Sequence, residues 1–233
     1  MKKSLKIFII NLDRAEERRN FFIKHFKKLK INYEIFKAHD GKSLTKKQLF
    51  KYSSDLSFKF ENRALSLDEI ACSMSHLSVY KKIVKNSIAE AIIFEDDIII
   101  NSKLIQIVNK IPKNVELVNF KSDAKQKKLK LILSGIYLTQ FLETPNRTSA
   151  IYLKLSAAKK LLKYGYPVRQ PHDGLTGRMT FSGKIRGYGI YPELIKLRKI
   201  NNSISGRGSF FLTNKYLYKI KSFFFFCKST LIR

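Results

Sequence analysis

Residues 91–97 read Ala91-Ile92-Ile93-Phe94-Glu95-Asp96-Asp97, four apolar residues that run directly into three acidic ones. A short apolar run of this kind predicts a buried strand, and ligands of open α/β proteins usually lie at the carboxyl ends of such strands. The chain carries 46 Lys and Arg against 18 Asp and Glu, so three consecutive acids are conspicuous. Carboxylate oxygens suit Mg²⁺ or Mn²⁺, which proteins often hold together with substrate phosphates. The segment therefore predicts a cation site at a sheet edge and a nucleotide-dependent enzyme.

The rest of the chain alternates between strand and helix patterns. Lys6–Asn11 predicts the first strand, and residues 14–29 predict an amphipathic helix with apolar side chains at helical spacing. A long helix is expected over residues 68–85, capped by Ser66 or Asp68. Further strands are expected at residues 33–38, 116–120, 131–138 and 150–153, and further helices at residues 102–110 and at 156–162 behind a Ser156 cap. An alternation of this kind predicts an α/β fold.

Three segments lack a clear period and are expected to be loops. Residues 42–66 are polar, residues 121–130 are Lys-rich with Asp123 as their one acid, and residues 167–189 are Gly-rich. A run of charge is usually a solvated surface, whereas an irregular Gly-rich segment favours a functional loop.

Length and cysteine content suit a single catalytic unit in the cytoplasm. A chain of 233 residues can bury a full core. Cys72 and Cys227 lie far apart and match no zinc or redox spacing, so reduced thiols are expected. The apolar run at residues 7–10 is too short for a signal peptide, and no apolar segment approaches the roughly 20 residues that span a bilayer.

The net charge of +28 predicts attraction to polyanions. We expect a catalytic domain over residues 1–200 and a tail over residues 201–233 in which basic residues alternate with aromatic ones, including the run Phe223-Phe224-Phe225-Phe226. Such a tail suits an anionic membrane surface, or a terminal helix that docks its Phe side chains into the core, and both interpretations stay open. A nucleic-acid arm ranks third because no specific nucleic-acid motif accompanies the charge.

Three blocks in the first hundred residues carry a family resemblance. They are Ile9-Ile10-Asn11-Leu12-Asp13-Arg14 with Glu17-Arg18-Arg19, then Asp68-Glu69-Ile70-Ala71-Cys72-Ser73-Met74-Ser75-His76, then Ile93-Phe94-Glu95-Asp96-Asp97. In content, order and separation they resemble the lipooligosaccharide glycosyltransferases of glycosyltransferase family 25. Residues 149–153 and Pro171-His172-Asp173 extend the likeness loosely into the second half. Departures at Asp68, Ala71 and Arg147-Thr148, where family members often carry small residues or a Gly-rich turn, concern acceptor choice more than the fold.

The resemblance implies a GT-A fold, in which a Rossmann-like mixed sheet flanked by helices binds a nucleotide sugar, and an inverting transfer from UDP-galactose or a related donor. Glu95 and Asp97 share one face of an extended segment, since side chains alternate with period two, and would hold the Mn²⁺ or Mg²⁺ that neutralises the leaving diphosphate. Asp96 would point away, toward the ribose or a backbone amide. The alternative for Asp96 or Asp97 is a helix cap.

An inverting transfer needs a base for the acceptor hydroxyl. Between residues 124 and 233 the only acids are Glu143, Asp173 and Glu193. Asp173 matches a late Asp of the family, so it is the expected base, and its alternative role is a turn before Gly174.

Glu69, Cys72 and His76 fall at i, i+3 and i+7 and share a helical face. With four His in the chain and no second Cys nearby, a zinc site is disfavoured. A buried His76 that orients the nucleotide or the acidic segment is expected instead. The resemblance places Glu69 and His76 in the active-site region, so both are predicted catalytic residues beside Asp173.

Three further residues are expected to contact the donor. Asn11 follows the first strand, where a Rossmann-like sheet would receive the uracil or ribose, and Arg18 lies on the helix behind it. The alternative for Arg18 is a solvated charge or an ion pair with an acid. Arg207, in Ser205-Gly206-Arg207-Gly208-Ser209, would wrap the diphosphate, or the segment is a linker to the tail.

Together these features predict a peripheral enzyme at the cytoplasmic face of the inner membrane that transfers galactose to a lipid-linked oligosaccharide. One alternative is a transferase of the same fold with another UDP-sugar. The other is a noncatalytic polyanion-binding protein in which the charge itself is the function.

Overall fold

The computed structural model describes residues 5–52, 61 and 63–198. The predicted tail, with Arg207, lies outside the described residues. The elements are β1 Lys6–Asn11, α1 Glu16–Leu29, β2 Glu34–Lys37, α2 Lys46–Tyr52, α3 Leu67–Lys85, β3 Glu90–Glu95, β4 Ile98–Ile100, α4 Lys103–Val108, β5 Leu117–Asn119, β6 Gln126–Leu133, β7 Ile136–Phe141, β8 Ala150–Lys154, α5 Leu155–Gly165, α6 His172–Phe181, β9 Gly187–Tyr191 and β10 Ile195–Leu197.

Eight strands form one mixed sheet in the order β2-β1-β3-β8-β5-β9-β7-β6. β1 runs parallel to both β2 and β3, and β8 lies antiparallel between β3 and β5. A separate antiparallel pair joins β4 to β10. Ile10 pairs with Glu95, so β1 and β3 end at the same edge of the sheet. This register brings Asn11 next to the acidic segment.

The central strand β3 is buried on both faces, as its apolar sequence predicts. Ile92 and Phe94 pack on one face, where the Phe26 ring of α1 lies 5.7 Å from the Phe94 ring, centroid to centroid. Ala91 and Ile93 pack on the other face with apolar residues of α3 and α5. Helices therefore cover both faces of the sheet, and the predicted α/β fold with a mixed sheet flanked by helices is confirmed.

The start of α3 is fixed by a capping box. The Glu69 backbone N–H donates to Ser66 Oγ over 3.2 Å, and the Ser66 backbone N–H donates to Glu69 Oε2 over 2.8 Å. Of the two predicted caps, Ser66 is therefore the correct one.

Two predictions between residues 121 and 138 are wrong. The Lys-rich segment is not a loop, and residues 131–138 are not one strand, because β6 and β7 form an antiparallel hairpin with its turn at Ser134 and Gly135. Gly135 has φ +69°, a conformation that glycine adopts at little cost and that tight hairpin turns need. β6 is an exposed edge strand, where lysines discourage pairing with other chains. Its sequence therefore lacks the apolar alternation of a half-buried strand.

Three further expectations are corrected. Residues 167–189 contain helix α6 and the beginning of β9, and residues 42–66 contain α2. Helix α5 begins at Leu155 behind Lys154, without a side-chain cap, and the Ser156 hydroxyl instead hydrogen-bonds to Glu116.

Candidate functional site

The acidic segment does not stay extended. β3 ends at Glu95, Asp96 and Asp97 form a turn, and the chain re-enters a strand at Ile98. Period-two alternation therefore does not govern where these carboxylates point, and Glu95 and Asp97 do not share one face of an extended segment as predicted. Neither Asp96 nor Asp97 caps a helix, since α4 begins only at Lys103.

Asp96 is buried and bound by two side chains predicted to contact the donor. Asn11 Nδ2 donates to Asp96 Oδ2 over 2.6 Å, and Arg18 Nη1 donates to Asp96 Oδ1 over 3.2 Å. Arg19 Nη1 in turn donates to Asn11 Oδ1 over 3.1 Å. Burial raises the pKa of Asp96, while Asn11 and Arg18 oppose that rise. The network ties β1, α1 and the turn together, and the ion-pair alternative for Arg18 is confirmed.

Asp97 lacks the partners that Asp96 has. Its Oδ1 atom is buried and accepts no hydrogen bond within the described part of the chain. Burial, together with the nearby Glu95 and Asp96 carboxylates, raises the pKa of Asp97 to about 7. Carboxylates that face one another without a bound proton or cation repel. The residues present therefore fit a divalent cation.

Glu95 is hydrogen-bonded to a buried histidine. His76 Nε2 and Glu95 Oε1 form a hydrogen bond of 3.1 Å, and the His76 ring is fully buried. His76 is therefore buried, as expected, and its contact is with the acidic segment, whereas its role in orienting that segment stays a prediction.

A second buried histidine packs against the first. The His172 ring stacks on the His76 ring, and it hydrogen-bonds to the Tyr80 hydroxyl over 2.7 Å and to Thr148 Oγ1 over 3.0 Å. Burial lowers the pKa of His172 well below its usual value, and the adjacent His76 ring lowers it further. His172 is thus a neutral support whose two nitrogens are both engaged. Sequence analysis missed this role for His172 and Tyr80, although Tyr80 stands one helical turn after His76.

Cys72 completes the surroundings of Glu95. Its thiol, a ring nitrogen of His76 and a carboxylate oxygen of Glu95 all lie within 4.8 Å of one another. Burial raises the pKa of the Cys72 thiol, and the negative charges of Glu95, Asp173 and Asp97 raise it further. The sequence grouped Cys72 and His76 with Glu69, whereas the structure groups them with Glu95.

Asp173 does not lie on a loop, because it is the second residue of α6. Its Oδ2 atom accepts a hydrogen bond from the Arg147 backbone N–H over 3.2 Å. A Cβ atom at Gly177 would approach the Pro145 carbonyl oxygen to 2.1 Å, so α6 rests directly on the segment that precedes β8. Asp173 thus lies at the start of a well-packed helix, and its charge contributes to the raised pKa of the Cys72 thiol.

Glu69 is committed to structural contacts. Arg63 donates two hydrogen bonds to its oxygens, over 2.7 and 2.6 Å, in addition to the capping bond from Ser66. Burial alone would raise the pKa of Glu69, but Arg63 and Ser66 together lower it. Among the described residues, Glu69 is not part of the group formed by Cys72, His76 and Glu95.

The model of the family described as "Glycosyltransferase family 25 (LPS biosynthesis protein)" matches residues 4–176 of this sequence. The chain belongs to glycosyltransferase family 25. The matched span includes Asn11, the capping box of α3, the acidic turn and the first turn of α6, so it contains all the predicted site residues except Arg207. The family resemblance drawn from the sequence blocks is confirmed.

Curated relatives of this family 25 chain occur in animals. A "Glycosyltransferase 25 family member" of Anopheles gambiae is 34% identical over 96 residues, which cover 40% of this chain and 16% of the relative. "Procollagen galactosyltransferase 2" of Mus musculus is 31% identical over 97 residues, again 40% of this chain and 16% of the relative. The chain therefore matches about a sixth of the length of these relatives.

Among solved structures, a glycosyltransferase involved in glycosylation of the major capsid of PBCV-1 is similar to this family 25 chain. The match has a TM-score of 0.45 and 11% identity, and it covers 85% of this chain and 94% of that one. A TM-score at this level adds nothing to the family assignment. Within the described residues, no helix combines the length and apolar character needed to cross a bilayer.

Proposed function

We propose that this chain is an inverting glycosyltransferase that transfers a hexose, galactose first among them, from a UDP-sugar to a lipooligosaccharide acceptor. The observation that carries the proposal is the pair of Glu95 and Asp97 at the shared end of β1 and β3. Asp97 is half-buried there, with an unpartnered oxygen and a pKa of about 7. Such a pair suits a cation, and the carboxyl ends of these strands suit a nucleotide.

Glu95 and Asp97 would hold Mn²⁺ or Mg²⁺, which when bound neutralises the diphosphate leaving group. Asn11, Arg18 and Asp96 would form the floor of the donor site. Their mutual hydrogen bonds fix the turn that presents Asp97. Arg207, outside the described residues, is proposed as a further contact to the diphosphate.

Asp173 is proposed as the base that takes the proton from the acceptor hydroxyl. The hydrogen bond from the Arg147 backbone N–H orients its carboxylate. For His76 and Glu69 we propose positioning roles. His76 holds Glu95, and Glu69 fixes the start of the helix that carries His76.

The choice of galactose follows the name of the mouse relative, and the choice of acceptor follows the description of the family model. The proposed location is the cytoplasmic face of the inner membrane, where the basic, aromatic residues 201–233 would bind anionic lipid. Binding to anionic vesicles that weakens at high salt supports this location, and binding unchanged by salt contradicts its electrostatic basis.

The deciding experiment measures UDP release from a panel of UDP-sugars, with and without Mn²⁺, for the wild type and for Asp97→Ala. Asp13→Ala is the matched control, because Asp13 is an exposed acid whose partner is Lys37 on the surface. Metal-dependent release from UDP-galactose that is lost only in Asp97→Ala supports the proposal. Release from another UDP-sugar supports a transferase of the same fold with that sugar as its donor. No release under any metal condition, with polyanion binding intact in Asp97→Ala, favours the noncatalytic alternative.

A further inference from the structure

Two ligand-type side chains on one helix face a third at the end of a strand. Cys72 and His76 stand four residues apart in α3, a spacing that places side chains on the same face one turn apart. Glu95 ends β3 beneath them. One ligand atom from each of the three lies within 4.8 Å of the other two.

The distances suit coordination of one small ion. Zinc bonds to nitrogen and oxygen are about 2.0–2.2 Å, so two such ligands of a tetrahedral ion lie roughly 3.4 Å apart. His76 Nε2 and Glu95 Oε1 are separated by 3.1 Å. The Cys72 sulfur is the third candidate ligand, within 4.8 Å of both atoms.

The set of donor atoms selects the class of metal. Sulfur and imidazole nitrogen favour zinc-like ions, whereas Mg²⁺ is bound through oxygen ligands and water. Three protein ligands with a fourth position left open are typical of zinc sites that act on a substrate.

A second observation points to the same place. His76 is fully buried, and its Nδ1 atom has no hydrogen-bond partner within the described chain. Its other ring nitrogen, Nε2, lies 3.1 Å from Glu95 Oε1. A cation between these two atoms would take the place of the proton in that hydrogen bond, and the ring would then carry its proton on Nδ1. The unpartnered Oδ1 of Asp97 adds a buried acceptor in the same acidic turn.

We propose that Cys72, His76 and Glu95 bind a zinc-class divalent ion, with Asp97 beside the open position. The inference rests on the proposed function only for the role of the ion, and it assigns a different class of metal, because a zinc-class ion bound by Cys72 and His76 would take Glu95 as a ligand in place of Mn²⁺ or Mg²⁺. Binding converts the Cys72 thiol to a thiolate and releases its proton to solvent. His172, stacked on His76, positions the ring without touching the ion.

The test titrates the metal-stripped full chain with Co²⁺ alone and records the absorption spectrum. We expect a near-ultraviolet thiolate-to-cobalt charge-transfer band that excess Zn²⁺ removes and excess Mg²⁺ does not. Cys72→Ser abolishes the band. Cys227→Ser is the matched control, since Cys227 is the only other cysteine of the chain, and it retains the band.

A second variant separates a lost ligand from lost folding. Glu95→Gln, checked for native circular dichroism, is expected to weaken Co²⁺ binding at least tenfold and to keep the band at saturation, because the thiolate remains. Absence of the band in the wild type, or its loss in Cys227→Ser rather than in Cys72→Ser, overturns the inference.

The proposed function and this inference fail separately. If UDP release depends on metal but no charge-transfer band appears, the transferase function is supported and Cys72 is not a metal ligand. If the charge-transfer band appears but no UDP-sugar is hydrolysed, the metal site is supported and the proposed transferase reaction is contradicted.

Discussion

The imidazole of His76 lies flat against that of His172, with ring centroids 3.8 Å apart and planes inclined by 10°. His76 belongs to α3 and His172 to α6, so the stack joins two helices beside the acidic turn. Two charged imidazoles at this separation would repel strongly. The arrangement therefore needs His172 to stay neutral, which its burial favours.

Removing the His172 ring should loosen both helices. His172→Ala leaves a cavity and removes the partner of Tyr80 and Thr148, so we expect the free energy of unfolding to fall by about 2–4 kcal/mol. His172→Phe keeps a stacking ring but not the hydrogen bonds, and should cost about 1–3 kcal/mol. Urea denaturation measures both. The control is Phe181→Ala, an exposed position of the same helix. Equal stability of the Ala and Phe variants would contradict a role for stacking.

Asp173→Asn removes the carboxylate that is proposed as the base, while its side chain can still accept a hydrogen bond from the Arg147 backbone N–H. We expect kcat for sugar transfer to fall by about 10²–10⁴-fold with KM for the donor little changed. The matched control is Glu143→Gln, an exposed acid of the same half of the chain. Steady-state kinetics give both constants. A loss of less than tenfold in Asp173→Asn would assign the base to another residue.

Glu69→Gln tests whether this carboxylate is structural. The change weakens the pairing with Arg63 but preserves an acceptor for the Ser66 N–H, so we expect about 1–3 kcal/mol of lost stability and kcat within a few-fold of the wild type. Ser66→Ala, which removes the other half of the capping box, should cost about 1 kcal/mol. A hundredfold loss of kcat in Glu69→Gln at unchanged stability would make Glu69 catalytic, as the sequence predicted.

Glu116 predicts a pH dependence of folding stability. Burial opposes its charged form, but hydrogen bonds from Lys160, Ser156 and the Arg186 backbone N–H together lower its pKa to about 2. A carboxyl pKa that is depressed in the folded state stabilises the protein above the unfolded pKa of about 4.5 and loses that effect as pH falls toward 2. Glu116→Gln should therefore cost about 1–3 kcal/mol at pH 7, and the difference from wild type should shrink below pH 4.5. Urea denaturation between pH 3 and 7 measures this, and a pH-independent difference would contradict the assignment.

The apolar run of β3, the helical periodicity of α1 and the cap of α3 were readable in advance because each depends on neighbours along the chain. The β6–β7 hairpin and α6 were not. The exposed edge strand β6 carries lysines instead of alternating apolar residues. Helix α6 contains glycines, which are typical of loops, and the reason for Gly177 is its close contact with the Pro145 carbonyl oxygen.

The sequence alone determined the family, the α/β class and the identity of most candidate site residues, because motifs and apolar periods are local properties. The tertiary structure decided which of those residues work together. In the folded chain, a turn follows Glu95, and Asp96 is bound by Asn11 and Arg18. Glu69 lies apart from Cys72 and His76, and the third member of their group is Glu95. Contacts between residues as distant in sequence as His76 and His172 arise from the packing of α3 against α6. Spacing along one helix cannot encode them.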